Sequence, residues 1–137
     1  MPHKFKSKLE RTNAEFLEEV GVEFLYEPKE AKIGYILPAS KHVYTPDLPF
    51  RSKGTGKLII VEAKGIWDYA DRYKHLWIKK LYPELDIRFV FTRSATKTSK
   101  GARQTYADIC QGRGRGAFKG VTWKYADKRI PMEWINE

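Results

Sequence analysis

The chain has 137 residues, enough for one domain (1–137) with a real core, and its 42% hydrophobic and 14% aromatic content excludes a disordered segment. Lys+Arg 26 against Asp+Glu 17 leaves a formal charge of +9, which favours a polyanionic partner, nucleic acid first. The lone cysteine, Cys110, excludes an internal disulfide framework and a Cys-rich zinc site, and no run is apolar enough to span a membrane. A cytoplasmic protein with no membrane partner is therefore expected.

Residues 1–6 read as a basic arm. Ser7 is placed to cap a helix running to about Val20, whose apolar stripe is Leu9, Phe16, Leu17 and Val20, with Gly21 as its stop. Val22, Phe24 and Tyr26 alternate as in a half-buried strand up to Pro28. Residues 31–37 form a second extended run, interrupted by Pro38-Ala39-Ser40 and resumed from His42 to Thr45. Leu48 to Gly56 is rich in turn formers and reads as a loop or hairpin connection.

The run Lys57 to Lys64 is apolar and β-branched before it ends in Glu62-Ala63-Lys64, and it predicts a buried strand closed by Gly65. Asp68 caps a predicted helix through about Tyr82, ended by Pro83, with Arg72, Lys74, Lys79 and Lys80 making it basic. Asp86 to Thr92 predicts another strand, and Ala102 to Cys110 a short helix. Gln111 to Gly116 reads as a glycine-arginine loop, Val121 to Tyr125 as a last strand, and Pro131 as the start of a short helix. Strands separated by helices predict an α/β fold with a mixed central β-sheet flanked by helices.

The chemistry concentrates in the strand ending at Lys64. Side chains alternate along a strand, so Glu62 and Lys64 share one side and Ala63 faces away. Pro46-Asp47 adds a second acid upstream. Phosphodiester hydrolysis requires a deprotonated water, neutralisation of the phosphate and support for the leaving oxygen, and Mg²⁺ held by a few oxygen ligands supplies all three. Asp47 and Glu62 are the candidate metal ligands, with the Ala63 backbone carbonyl as a third and Lys64 as the cation at the scissile phosphate. Glu10, in the first helix, is the candidate further carboxylate, although a helix N-terminal acid is also explained by the macrodipole. A Glu-x-Lys pair alone is a weak signal. His42 and His75 lack zinc-site spacing. His75, on a basic helix, is expected at the surface or on a phosphate, as are Arg72, Lys74, Arg113 and Arg115.

Pro46-Asp47, Glu62-Ala63-Lys64 and the apolar strand before them resemble the core motif of the PD-(D/E)xK nuclease superfamily. More closely, the stretches 36–47, 61–65, 71–76, 83–91 and 126–135 resemble the endonuclease I family of T-seven-type bacteriophages, whose members resolve Holliday junctions. The resemblance implies a restriction-endonuclease-like fold in a domain-swapped homodimer, with residues 31–45 as the bridge between subunits. It implies catalysis by Glu10, Asp47, Glu62 and Lys64 with Mg²⁺, for which Mn²⁺ substitutes. Each site would be composite, with Glu10 from one chain and the other three residues from its partner. It implies branched DNA as substrate and a host-cell cytoplasmic location. Against the family pattern, the loop between Asp47 and Glu62 is long, Ala63 stands where the familiar member has threonine, and residues 111–120 look inserted. The alternatives are a nuclease of the same superfamily acting on mismatches, restriction sites or transposon ends, and a non-enzymatic basic DNA-binding module.

Overall fold

The protein is described by a computed structural model over residues 7–24, 33–37 and 40–137. Helix α1 (Lys8–Glu19) begins where Ser7 accepts a hydrogen bond from the Glu10 N–H at 3.1 Å. It stops before Gly21, whose φ of 71° needs no Cβ. Strands β1 (Ile33–Leu37) and β2 (Ser40–Tyr44) pair antiparallel, from Ile33 with Tyr44 to Leu37 with Ser40. The expected extended bridge over 31–45 is thus, where described, two paired strands. Residues 25–32 and 38–39, including part of that bridge and the Tyr26–Pro28 end of the expected early strand, lie outside the described residues. Phe24 bridges to Phe50.

The central sheet has four strands in the order β3-β4-β5-β8: β3 (Leu48–Arg51), β4 (Leu58–Lys64), β5 (Ile87–Phe91) and β8 (Tyr125–Asp127). Strand β3 runs antiparallel to β4, while β4, β5 and β8 run parallel, so the sheet is mixed as expected. Residues 48–51, expected within a loop, instead form the edge strand, because Leu48 and Phe50 are buried against the β4 neighbours Val61 and Ile59. Helix α2 (Tyr69–Leu81) makes the crossover from β4 to β5, and Asp68 caps it by accepting from the Asp71 N–H at 2.8 Å.

Two layers cover the sheet. On one face α1 packs Ala14, Phe16 and Leu17 against Ile59, Val61 and Val90, joined by Ile130, Trp134 and Ile135 of the C-terminal segment that contains α4 (Met132–Asn136). On the other, Ile60 and Ile87 pack under Ile78 of α2, and Phe89 and Phe91 under Trp67, Leu76 and α3 (Tyr106–Cys110). Trp67 sits at the centre of this second face with no exposed surface, touching the rings of Phe89, Phe91, Tyr106 and Trp123. Burying a ring of this size stabilises the fold by roughly 2–3 kcal/mol.

Three expectations near the C-terminus are corrected. Helix α3 starts at Tyr106 rather than Ala102, where Thr105 and Asp108 form a reciprocal capping box. The single strand expected over 121–125 is two strands in different sheets, β7 (Lys119–Thr122) and β8, with Trp123 turned into the core between them. The glycine-arginine segment is no open loop: Gln111–Arg113 is strand β6, paired with β7 and linked to it by a 3-10 turn at Gly116–Phe118.

Candidate active site

Alternation along β4 sends Ile59 and Val61 to the α1 face and Ile60, Glu62 and Lys64 to the α2 face. Glu62 is 2% exposed. A carboxylate so enclosed is costly unless its oxygens are engaged. Glu62 Oε2 accepts from the Asp47 N–H at 2.8 Å, and Asp47 Oδ2 accepts from the Ala63 N–H at 3.3 Å. Each acid thus grips the backbone beside the other. The register explains why they meet. Leu48 lies opposite Val61, so the segment preceding β3 runs past the end of β4.

The same register assigns the Ala63 carbonyl. The Ile60 N–H donates to Asp86 and the Thr92 N–H to the Lys64 carbonyl, so the even-numbered residues of β4 bond to the β5 side. The backbone groups of Ala63 therefore face the β3 edge, where the residue in register would be Pro46. Proline has no N–H to donate. The carbonyl is left without a ladder donor beside the two carboxylates.

Helix α2 closes the site from above. Lys64 Nζ pairs with Asp71 Oδ2 at 2.7 Å, and His75 Nε2 lies 3.3 Å from Glu62 Oε1 and 3.7 Å from Asp71 Oδ1. The His75 ring meets Tyr44 and Phe89 edge-on. His75 is 1% exposed, and its two nitrogens and the Tyr44 hydroxyl are buried without a well-aligned hydrogen bond. Burial pushes the His75 imidazole below its ordinary pKa despite the pull of Glu62, so it is neutral at pH 7 and meets Glu62 as a dipole rather than a cation. Burial acts to raise the Glu62 carboxyl, but His75, Lys64 and the Asp47 N–H outweigh it and hold the carboxyl below its ordinary value. Burial also opposes the Lys64 charge, yet Glu62, Asp71 and Asp47 hold the ammonium above its ordinary value. Tyr44 is pushed well above its ordinary value, by burial first and then by Glu62 and Asp47, so it remains a neutral phenol. Among the described residues, Asp47, Glu62 and Asp71 thus gather around Lys64.

Asp47, Glu62, Ala63 and Lys64 are therefore brought together. Glu10 stands apart: it is 7% exposed on α1 with Oε2 buried and unpaired, and no hydrogen bond or ion pair among the described residues joins it to Glu62 or Lys64. The surface positions expected for His75 and Arg72 are corrected. Both point inward, and Arg72 Nη1 donates to the carbonyls of Trp67 (2.6 Å) and Thr98 (3.4 Å). Lys74 is half-buried, its Nζ 5.5 Å from the Tyr44 ring centre. Arg113 is exposed, 3.8 Å from Asp108, and Arg115 is exposed beside a cavity. The sequence alone does not single out Asp71 and Tyr44. The signal for Asp71 is its spacing four residues before His75 on the capped helix.

Among the described residues no group of three or more His, Cys, Asp and Glu side chains surrounds a single point in the manner of a metal cage. Two converging carboxylates and a carbonyl with no ladder donor from Pro46 nonetheless suit a hard cation that keeps much of its water, as Mg²⁺ does. A family profile described as phage endonuclease I matches residues 2–137. Endonuclease I of Escherichia phage T7 is 44% identical over 133 residues, 97% of this chain and 79% of the relative. Endodeoxyribonuclease 1 of Enterobacteria phage T3 is 39% identical over 133 residues, 97% and 78% of the two chains.

Proposed function

Because the chain belongs to the phage endonuclease I family, and is on that footing a DNA-cutting enzyme, we propose that it is a Mg²⁺-dependent endodeoxyribonuclease that resolves four-way (Holliday) junctions and related branched DNA. The observation that carries the chemistry is the reciprocal grip of Asp47 and Glu62 at the end of the strand that also presents Lys64. Asp47, Glu62 and the Ala63 carbonyl would hold Mg²⁺, with Mn²⁺ as a substitute, and the cation supplies Lewis acidity toward water and phosphate when bound. Lys64, kept charged by its acid neighbours, offers its ammonium to the phosphate, while Asp71 fixes its approach. Glu62, enclosed by Tyr44 and His75, presents a desolvated carboxylate whose oxygens need no reorganisation on reaction. Attack by water in this arrangement leaves a 5′ phosphate and a 3′ hydroxyl.

The fold is restriction-endonuclease-like on this reading, and the active unit is an intertwined homodimer in the host-cell cytoplasm. Glu10 enters each site from the partner subunit. Two features support this. The Glu10 carboxylate is enclosed with an unpaired oxygen, which favours completion by a further group. The β1–β2 ladder is separated by only two residues, so the same pairing between two chains would carry residues 31–45 across as a bridge. Two symmetric sites fit the two opposed strands of a four-way junction.

The test is cleavage of a four-way junction, a mismatched duplex and a plain duplex, each with Mg²⁺ and with EDTA. Junction cutting that requires Mg²⁺ and exceeds duplex cutting is expected. Equal cutting of the plain duplex, or cutting in EDTA, would overturn the reading, and binding without any cutting would favour a DNA-binding module. A mixed dimer of Glu10→Gln and Asp47→Asn chains should retain one intact site. An inactive mixture would sink the composite arrangement.

A further inference from the structure

Away from the carboxylates, a cavity of about 530 Å³ opens between the 98–104 loop and the β6–β7 hairpin, lined by Thr98, Gly101, Ala102, Arg103, Gln104 and Arg115. Two guanidinium residues, an amide and a hydroxyl line it, and no acid does. The loop from β5 to α3 carries Arg93, Lys97, Lys100 and Arg103 with no acid between them.

The cavity is built rather than incidental. Gln104 Nε2 donates to the Arg113 carbonyl at 2.5 Å, tying the loop to the hairpin, and Lys97 Nζ donates to the Arg103 carbonyl at 3.0 Å. At Gly114 an added Cβ would come within 2.5 Å of the Phe118 Cβ, so only glycine permits the tight turn that presents Arg115.

Its position relative to the site is also fixed. The hairpin lies along α2: Lys79 Nζ donates to the Thr122 carbonyl, and six residues earlier Tyr73 meets the Phe118 ring at 5.0 Å. The hairpin tip thus points to the end of α2 that holds Asp71 against Lys64. Arg72, the residue after Asp71, grips Thr98 in the cavity wall, and the same loop leaves β5 with the Thr92 N–H on the Lys64 carbonyl.

We propose that this cavity is a second phosphate-binding site, in which Arg103 and Arg115 clamp the DNA backbone flanking the phosphate held at Lys64. The assignment rests on the proposed DNA cleavage and adds to it where the substrate is gripped outside the reacting atoms. Arginine pairs suit the role, because a planar guanidinium binds phosphate oxygens in a fork. The contact reads no bases, so it strengthens binding to branched and linear DNA alike.

The test compares DNA binding in EDTA by the protein with and without Arg103→Ala/Arg115→Ala, across a salt series. Each neutralised phosphate steepens the fall of log K with log salt by about 0.9. The double variant should bind a four-way junction roughly tenfold more weakly at about 100 mM salt, with a slope shallower by about 1–2. Arg103→Lys/Arg115→Lys should recover the slope. Lys53→Ala/Lys124→Ala removes the same charge at the far end of the sheet and should leave affinity and slope unchanged. An unaltered slope in Arg103→Ala/Arg115→Ala, or an equal loss in the Lys53/Lys124 control, would overturn the clamp. Failure of the unmodified protein to cut any DNA in Mg²⁺, with the arginine-dependent slope intact, would overturn the cleavage reading and leave the clamp standing.

Discussion

The β4–β5 pair is flanked by a charge cluster toward each end, and the two are assembled on opposite plans. Toward the start, Arg88 of β5 is fully enclosed and forks onto the part-exposed Asp86 at 2.8 Å through two nitrogens, while its remaining edge meets Glu137; Lys57, just before β4, completes the set on Asp86 at 2.5 Å. Every charge there has an opposite charge in contact. At the other end, the contacts among the described residues set Asp47, Glu62 and Asp71 around one lysine, a neutral histidine and backbone N–H groups. The first cluster is balanced and joins the C-terminal segment to the sheet. Among the described residues the second gathers three acids about one lysine, an arrangement that suits a bound cation. Residue type alone does not separate structural from functional ion pairs; the balance of charge does.

Substitutions at the two ends should therefore move different observables. Glu62→Gln should reduce junction cleavage by about 10³-fold or more, since several kcal/mol of transition-state support passes through this carboxylate. Its thermal midpoint should fall only modestly, because the amide can keep the Asp47 N–H contact while the attraction to Lys64 that holds the carboxyl below its ordinary value is lost; a large drop would mean that the acid is structural. Arg88→Ala should do the reverse, costing about 3 kcal/mol of stability, the low end for a broken buried pair because Asp86 and Glu137 are part-exposed. Denaturant unfolding measures this, and cleavage per folded molecule should hold. Asp71→Asn should lower kcat roughly tenfold with little change in KM, as expected for the loss of one charge-assisted contact that aims Lys64. Faster cutting would instead identify Asp71 as a restraint on the lysine.

The smallest effect concerns acid. Burial works against ionisation of Asp86, but Arg88 and Lys57 outweigh it and hold the carboxyl at about 2, below its ordinary 3.8. A depressed folded-state value stabilises the protein above the unfolded value, and that contribution disappears as pH falls from about 4 to about 2. Melting curves across this window should lose part of their slope in Asp86→Asn, and an unchanged slope would show that other carboxylates dominate acid unfolding.

The parts of this arrangement that were legible in the sequence are local ones. Ser7 and Asp68 announce their helices because a cap bonds three residues away, and the apolar run 57–64 announces β4. That Glu62 and Lys64 share a face follows from strand alternation. The contact between Asp47 and Glu62 depends on β3 pairing with β4, a partnership that no local pattern encodes. His75 was expected at the surface because lysines surround it in sequence. Its spacing from Arg72 and Ile78 puts it on the buried stripe instead. The glycines of 111–116 suggest an open loop only until β7 supplies a partner. Glu10 is a candidate from its place in the first helix, its role is what the family resemblance implies, and among the described residues no hydrogen bond or ion pair joins it to Glu62 or Lys64.

The double pairing of β4 has one more consequence. Held by an antiparallel neighbour on one edge and a parallel one on the other, the strand is read in a fixed phase. A slip by a single residue would turn Glu62 and Lys64 toward α1 and bring Val61 and Ala63 beneath His75. Such a molecule would keep much of its secondary structure and lose its chemistry. Turnover is therefore a sharper gauge of correct folding than any measure of helix and strand content, and refolding yields for this protein are best counted in DNA cut.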